Sequence, residues 1–366
     1  MPIVLHDWTR GLELLRDEWS DIIISQNLNP SLHPSWVDVA INAHGLSRDA
    51  FIAEVTSGQS RAIIPCVPRQ ITLGRVPIRC IDLFSNVMSY HAELVAIGDI
   101  PTLIREYITS GQLPKHDVIR MANITSESPT GHAISNLDFY GKRSVFRYPG
   151  ERSPYIDMIP NWADYLKALP KKVRANINRC IRTTQQAGET AMKWFENGAD
   201  TDELLNDILQ IEALSWKAAD NKAIRPDTAE GQYYRKLLPW LAKHGIAANV
   251  LYVKDRPTAY VLCARWNGWI GQLKTSFSQD VRDAGFRVIH ASIERAFATG
   301  GSMYDFLGDA APHKLRWTDK IRSHDDTWIF SDHWRGKSLA LLKRTIDRWR
   351  HQRTGSTPLQ ETNNDP

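Results

Sequence analysis

Residues 249–307 read NVLYVKDRPTAYVLCARWNGWIGQLKTSFSQDVRDAGFRVIHASIERAFATGGSMYDFL, and this stretch decides the fold. Three apolar runs, at 249–254, 257–266 and 269–277, follow one another with turn chemistry between them. Asn267-Gly268 is the strongest short hairpin signal in the chain, so the runs predict an antiparallel meander. A loop from Ser278 to Ala284 then leads into a helix predicted from Gly285 to Thr299. Gly300-Gly301 stops that helix, and a strand is predicted at 303–307.

Working outward, residues 171–187 place Val173, Ile177, Cys180 and Ile181 at i, i+4, i+7 and i+8, which predicts a helix. A second helix is predicted over 201–219, capped by Thr201 and carrying Leu204, Leu205, Ile208, Leu209 and Ile211. The first half opens in a similar way. Leu12, Leu15, Trp19, Ile22 and Ile23 line one helical face, and a short helix covers Trp36 to Ala43. A hairpin joins Phe51–Val55 to Ala62–Val67 through Ser57-Gly58-Gln59. Strands are expected at 76–83 and 118–123, and a helix at 101–110 with Pro101 in its first turn. FIAEVTSGQSRAIIPC loosely echoes VLYVKDRPTAYVLC, which reads as a degenerate internal duplication.

The expected class is α/β (α+β), with each half a mixed, largely antiparallel sheet flanked by helices. Thr125 to Gly150 is rich in Ser, Pro and Gly without a sustained period, so the domain boundary falls near its end. The expected domains are 1–150, 151–331, and a tail of 332–366. That tail has a basic helix at 335–350 and a polar end expected to be disordered.

With 366 residues, 42% hydrophobic and 23% charged, the chain is an ordinary globular one. Its net charge of +4 does not by itself imply nucleic acid, and no DNA partner is expected. Cys66, Cys80, Cys180 and Cys263 form no CxxC pair, so neither a disulfide framework nor a metal site is expected. The N-terminus lacks the plan of a secretory signal and no run is long enough to span a membrane, which together suggest a cytoplasmic protein. The thirteen tryptophans are spread from Trp8 to Trp349 and define no single platform.

Arg282-Asp283-Ala284-Gly285-Phe286-Arg287 precedes a helix. A helix N-terminus offers unpaired N–H groups and a positive dipole end, glycine lets the backbone approach closely, and the arginines add charge suited to a pyrophosphate. The alternative is a solvated turn with two surface arginines. Tyr165 to Gly188 contains six basic residues and no acidic one. Lys171 and Arg174 within it face an anionic substrate, cofactor phosphates or RNA, unless they are simply a solvated face. Glu212 lies beside an apolar stripe, where a carboxylate is either a raised-pKa base or part of a salt bridge. His290, beside Val288 and Ile289, reads as a packing histidine.

Strand, R-x-x-G, helix, strand resembles the cofactor half of the GNAT acetyltransferases. More narrowly, the chain is similar to CelD-like acetyltransferases associated with cellulose and exopolysaccharide biosynthesis, relatives of the tandem-GNAT Fem-type transferases. The resemblance rests on Leu169 to Arg174, Glu212 to Trp216, Leu251 to Cys263, the Gly285 helix, and Asp305-Phe306-Leu307-Gly308 followed by Lys314 and Trp317. It implies acetyl-CoA or another acyl-CoA as co-substrate, held at Arg282, Gly285, Phe286 and Arg287, with no metal.

The acyl group would pass directly to an amine or hydroxyl of a small-molecule or saccharide-linked acceptor. His313, in the place where the family usually has tyrosine, is the leading acid/base residue, with Glu212 second and Asp305 a further candidate. Lys171, Arg174, Trp216 and Lys314 are the substrate-binding candidates. Between Leu83 and the helix at 101 there is no R-x-x-G, so the first domain takes a structural or acceptor-side role. The alternatives are a Fem-type transferase using charged tRNA and a catalytically silent scaffold of a polysaccharide-synthesis complex. The basic tail allows peripheral membrane contact.

Overall fold

In a computed structural model of the chain, residues 2–83, 91–136, 144–158 and 161–354 are described. The chain divides into two compact units, one made of Met1–Glu151 and Ser323–Pro366, the other of Arg152–Arg322.

Unit 1 runs β1 (Ile3–Asp7), α1 (Trp8–Ser25), α2 (Pro34–Ala43), β2 (Phe51–Ser57), β3 (Ser60–Leu73), β4 (Val76–Leu83), β5 (Val95–Ile97), α3 (Ile100–Thr109), β6 (Val118–Thr125), α4 (Pro129–Ser135) and the start of β7 (Val145–Asp157). Unit 2 takes the end of β7, then α5 (Trp162–Ala168), α6 (Lys171–Gln186), β8 (Thr190–Phe195), α7 (Thr201–Ala213), α8 (Trp216–Ala219), α9 (Ala229–His244), β9 (Ile246–Val253), β10 (Arg256–Trp266), β11 (Trp269–Phe277), α10 (Ala284–Ala298) and β12 (Met303–Asp305). The chain returns to unit 1 along β13 (Ile321–Phe330) and ends in α11 (Trp334–Thr354).

The strand order in unit 1 is β1-β2-β3-β4-β6-β13, with β5 beside β3; in unit 2 it is β7-β12-β11-β10-β9-β8. Neighbours are antiparallel except at one place in each unit, β4 with β6 and β11 with β12. Both units repeat strand, helices, three-strand meander, helix, parallel strand, so the duplication extends to topology. Each has its own apolar core. Ile64, Tyr107 and Ile119 are among the residues that fill unit 1. Val261, Val288 and Trp317 are among those that fill unit 2.

The meander and the helix after it stand where their alternation and turn chemistry put them. Four expectations differ from the structure, the first being the Thr201 cap, since Asp200 is the N-cap of α7 and accepts from the Asp202 and Glu203 N–H groups. The stretch Thr125 to Gly150, read as periodless, holds α4 and the first residues of β7. The helix expected over 201–219 breaks at Leu214, whose carbonyl accepts the Gln279 N–H at 3.3 Å. The strand expected to reach residue 307 stops at Asp305, because the Asp305 carboxylate takes the Leu307 N–H and Leu307 turns to φ +51°. Helix α9 was not legible, since Pro239 stands inside it. The expected disordered end beyond residue 354 lies outside the described residues, as do residues 84–90 of the first domain's glycine-poor loop.

Candidate active site in the second unit

Strand β11 is held along its full length by β10, but β12 pairs with it only at Trp269, Ile270 and Gly271. From Gln272 onward no residue of β12 pairs with β11, which leaves a fork in the sheet. The β10 register jumps there, Cys263 facing Gln272 and Leu262 facing Lys274, so Leu273 is the extra residue of a bulge. A bulge re-aims backbone groups, and this one sits at the mouth of the fork.

Gln272 and Tyr304 close the fork at its base. The Tyr304 hydroxyl donates to Gln272 Oε1 at 3.0 Å and lies 3.0 Å from Ser292 Oγ. Burial holds the Tyr304 pKa far above its ordinary value, so this cluster stays neutral. Sequence reasoning missed these residues, although a glutamine at an inward position of an apolar strand was the available signal. Ser276, further along β11, is also buried, and its hydroxyl has no hydrogen-bond partner among the described residues.

Past Phe277 the loop delivers the N-terminus of α10. Asp283 adopts φ +65° and does not cap the helix; its carboxylate lies instead 3.4 Å from Arg179 on α6. The first N–H groups of α10, those of Gly285 and Phe286 included, are thus left without a side-chain acceptor. Gly285 has a steric reason to be glycine, because a Cβ there would come within 2.4 Å of the Phe277 ring. Arg282 is exposed beside this turn. Phe286 packs inward on Trp317 with ring centroids 4.8 Å apart. Arg287 is half-buried and points along the helix to His290 Nδ1 at 3.4 Å. The turn therefore fits a pyrophosphate through Arg282 and backbone N–H groups, with Arg287 directed elsewhere.

His290 is buried between Trp162 and Trp317. Burial, with Arg287 as a second cause, lowers its pKa to about 4, so it is a neutral packing group at pH 7.

The acid/base candidates separate clearly. His313 lies exposed in the turn after β12. Packing of its inner edge, then the cations Lys314 and Arg316, push its pKa below the ordinary imidazole value. Glu212 has no open face. It is fully buried, and its carboxylate accepts from the Tyr260 hydroxyl at 2.7 Å, Lys217 Nζ at 3.1 Å and the Ile224 N–H at 3.2 Å. That arrangement is a structural ion pair, closed off by burial from any acceptor in solvent. Lys217 carries the link onward, donating to the Thr275 carbonyl of β11 at 2.7 Å. Asp305 is likewise fully buried, paired with Arg322 and bonded to the Leu307 N–H at 3.0 Å, so it holds the strand end rather than facing a substrate.

Among the substrate-binding candidates, Arg174 donates to the carbonyls of Lys167 and Leu169 at 2.5 and 2.7 Å and so caps α5. Lys314 donates to the Leu307 carbonyl and fixes the turn. Lys171 is exposed at the start of α6, a helix whose N-cap, Pro170, makes no side-chain bond. Trp216 is 44% exposed at the start of α8. A cleft of about 470 Å³ opens between the α5–α6 junction and the turn carrying His313, lined by Tyr165, Leu169, Leu315 and Trp317. Among the described residues no cluster of His, Cys, Asp or Glu is arranged to hold a metal ion.

Among the described residues, side chains fill the equivalent region of unit 1. Its parallel pair ends with Asp82 opposite Arg120, and these two side chains form an ion pair at 2.6 Å. Ala92 then bridges to Ile124 in parallel, with the Ala92 N–H on the Asn123 carbonyl at 3.0 Å. The N-terminus of α3 is filled by Asp99, which accepts from Thr102 N at 3.2 Å. A carboxylate already occupies the position that α10 leaves open.

Residues 171–315 match the family model described as an acetyltransferase (GNAT) domain. Solved structures carry the likeness over 85–89% of the chain. FemX is 10% identical, with 89% of this chain and 98% of that one covered at a TM-score of 0.58. A conserved protein of unknown function from Bacteroides thetaiotaomicron is 12% identical, with 87% and 97% covered at 0.54. The C-terminal domain of an Agrobacterium fabrum protein named for lysylphosphatidylglycerol synthetase is 14% identical, with 85% and 95% covered at 0.51. No curated protein matches the chain. The fold is therefore that of tandem GNAT-like units, and the match to the GNAT acetyltransferase domain model lies within the second unit.

Proposed function

We propose that the protein is an acyltransferase that moves an acyl group, acetyl being the simplest, from acyl-CoA to an amine or hydroxyl. One observation carries this reading. The β11–β12 fork, with its Leu273 bulge, stands directly before a helix N-terminus with no side-chain cap, in the segment that matches the GNAT domain.

In this reaction the pyrophosphate rests on the backbone N–H groups of α10 and on Arg282, within reach of the positive end of the helix dipole. A backbone N–H freed by the bulge donates to the thioester oxygen as negative charge develops on it. The acceptor attacks the carbonyl directly, its proton passes to His313, and the CoA sulfur leaves. A depressed imidazole pKa keeps His313 neutral, the form a base requires, at pH 7. Trp216, exposed at the α7–α8 corner, offers a flat apolar surface to the acceptor. The resemblance to CelD-like acetyltransferases supports an acceptor in exopolysaccharide or cell-envelope metabolism and a cytoplasmic setting.

The second reading is a Fem-type transfer from aminoacyl-tRNA. It draws on the likeness to FemX over 89% of the chain and on the basic, uncapped start of α6 at Lys171 and Lys172. A thermal-shift screen of acyl-CoAs and tRNA against the full chain separates the two. Stabilisation by acyl-CoAs supports the first. A shift with tRNA alone, falling steeply with salt, transfers support to the second. No shift with either favours a silent scaffold.

A further inference from the structure

Helix α11 belongs to unit 1 and presents two different faces. Its inner face packs Leu339 and Ala340 into a cluster with Phe146 and Phe330, and Lys343 turns inward to Asp347 and the Tyr148 ring. Arg335 is also held inward, 3.1 Å from Asp117. The outer face consists of Trp334, Lys337, Ser338, Leu341, Thr345, Arg348 and Trp349, spaced i, i+3, i+4, i+7, i+11, i+14 and i+15. On it Trp334 is 77% exposed, Leu341 60% and Trp349 53%.

Such a face is unusual for a soluble surface, where large apolar side chains are scattered rather than aligned. The two tryptophans stand about 22 Å apart along the axis, fifteen residues at 1.5 Å each. Indole combines a broad apolar body with an N–H, which suits it to the headgroup level of a bilayer. Lys337 and Arg348 flank the apolar residues, and this outer face carries no carboxylate. Over its length α11 holds seven Lys/Arg against the single inward Asp347. Among the described residues no helix is long and apolar enough to cross a membrane, so contact through this face would be with the surface.

We propose that the outer face of α11 docks the protein on an anionic lipid surface, with Trp334, Leu341 and Trp349 entering the headgroup region and Lys337 and Arg348 on the phosphates. The outer face sets apolar residues in line with basic residues beside them, the combination an anionic interface takes up. RNA would use the cations and stack bases on the tryptophans but leave Leu341 in water, and a second copy of the chain would meet a like-charged face, so a bilayer uses more of what the helix presents. The proposal is independent of the transfer reaction.

The test is flotation of the full chain with vesicles of phosphatidylcholine alone or of equal parts phosphatidylcholine and phosphatidylglycerol. Binding is expected only to the anionic vesicles, weakening as salt is raised. Trp334→Ser with Leu341→Ser should lower the bound ratio about tenfold. Lys337→Glu with Arg348→Glu should lower it more than about twentyfold, each cation being worth roughly a factor of five. All four residues are exposed, so the unfolding midpoint should stay in place. Absence of vesicle binding, or equal binding to both compositions, overturns the proposal. So does binding of tRNA that either variant loses, or a dimer that the Trp334/Leu341 variant breaks.

Discussion

The Cα of Gly285 lies against the ring of Phe277, so closely that a Cβ would stand 2.4 Å from it. This contact sets the position of the first turn of α10 relative to the end of β11, and with it the N–H groups offered to a donor. Gly285→Ala should therefore cost about 1–3 kcal/mol through overpacking. Phe277→Ala in the same chain should recover part of the loss. Denaturant unfolding of the two single variants and the double reads the coupling. Additive effects would mean the two residues do not press on one another.

Glu212→Ala leaves Lys217 buried without its carboxylate, and one broken buried pair costs about 3–5 kcal/mol. Glu212→Leu with Lys217→Met should regain much of that stability, since the charges leave together. If Glu212→Ala instead unfolds like the wild type while turnover disappears, the carboxylate has a chemical role that its three partners conceal.

His290 ties stability to pH. Its pKa is lowered to about 4, against about 6.5 for a free imidazole, so between those values the unfolded chain binds the proton more readily. The contribution is complete above pH 6.5 and is lost as pH falls towards 4, about 3 kcal/mol in all. Unfolding free energies of the wild type and His290→Asn, compared across that window, should converge as the pH drops. Parallel curves would show that His290 does not titrate differently on folding.

Most of unit 2 was legible because its signals are local. Asn267-Gly268 fixes a hairpin by turn chemistry, and the apolar spacing of Val288, Ile289 and Ile293 fixes the next helix. The fates of Glu212, Asp305, Arg174 and Lys314 were not legible. Each is decided by a partner remote in sequence or by a backbone carbonyl, such as Tyr260 for Glu212 and Leu169 for Arg174. The fork was hidden for the same reason, since it depends on β12 ending at Asp305 after only three paired residues.

His313→Gln keeps size and hydrogen bonding but cannot titrate. With acyl-CoA and a working acceptor, kcat should fall by roughly 100-fold while donor affinity is kept. The lowered pKa of His313 also places the midpoint of the acid limb of the wild-type rate profile below pH 6.5, with activity rising as the ring deprotonates. An unchanged kcat would pass the proton to solvent.

The most direct measurement is calorimetric titration of acetyl-CoA into the full chain. The account predicts one site per chain, since Asp99 and the Asp82–Arg120 pair fill the corresponding places in unit 1, with an affinity in the micromolar range. Gly285→Asp should abolish that binding, because any side chain there meets the Phe277 ring and must displace the first turn of α10, at a stability cost no smaller than that of Gly285→Ala. No heat of binding to the wild type, with acetyl-CoA or a longer acyl-CoA, would contradict the account, as would binding that Gly285→Asp leaves intact.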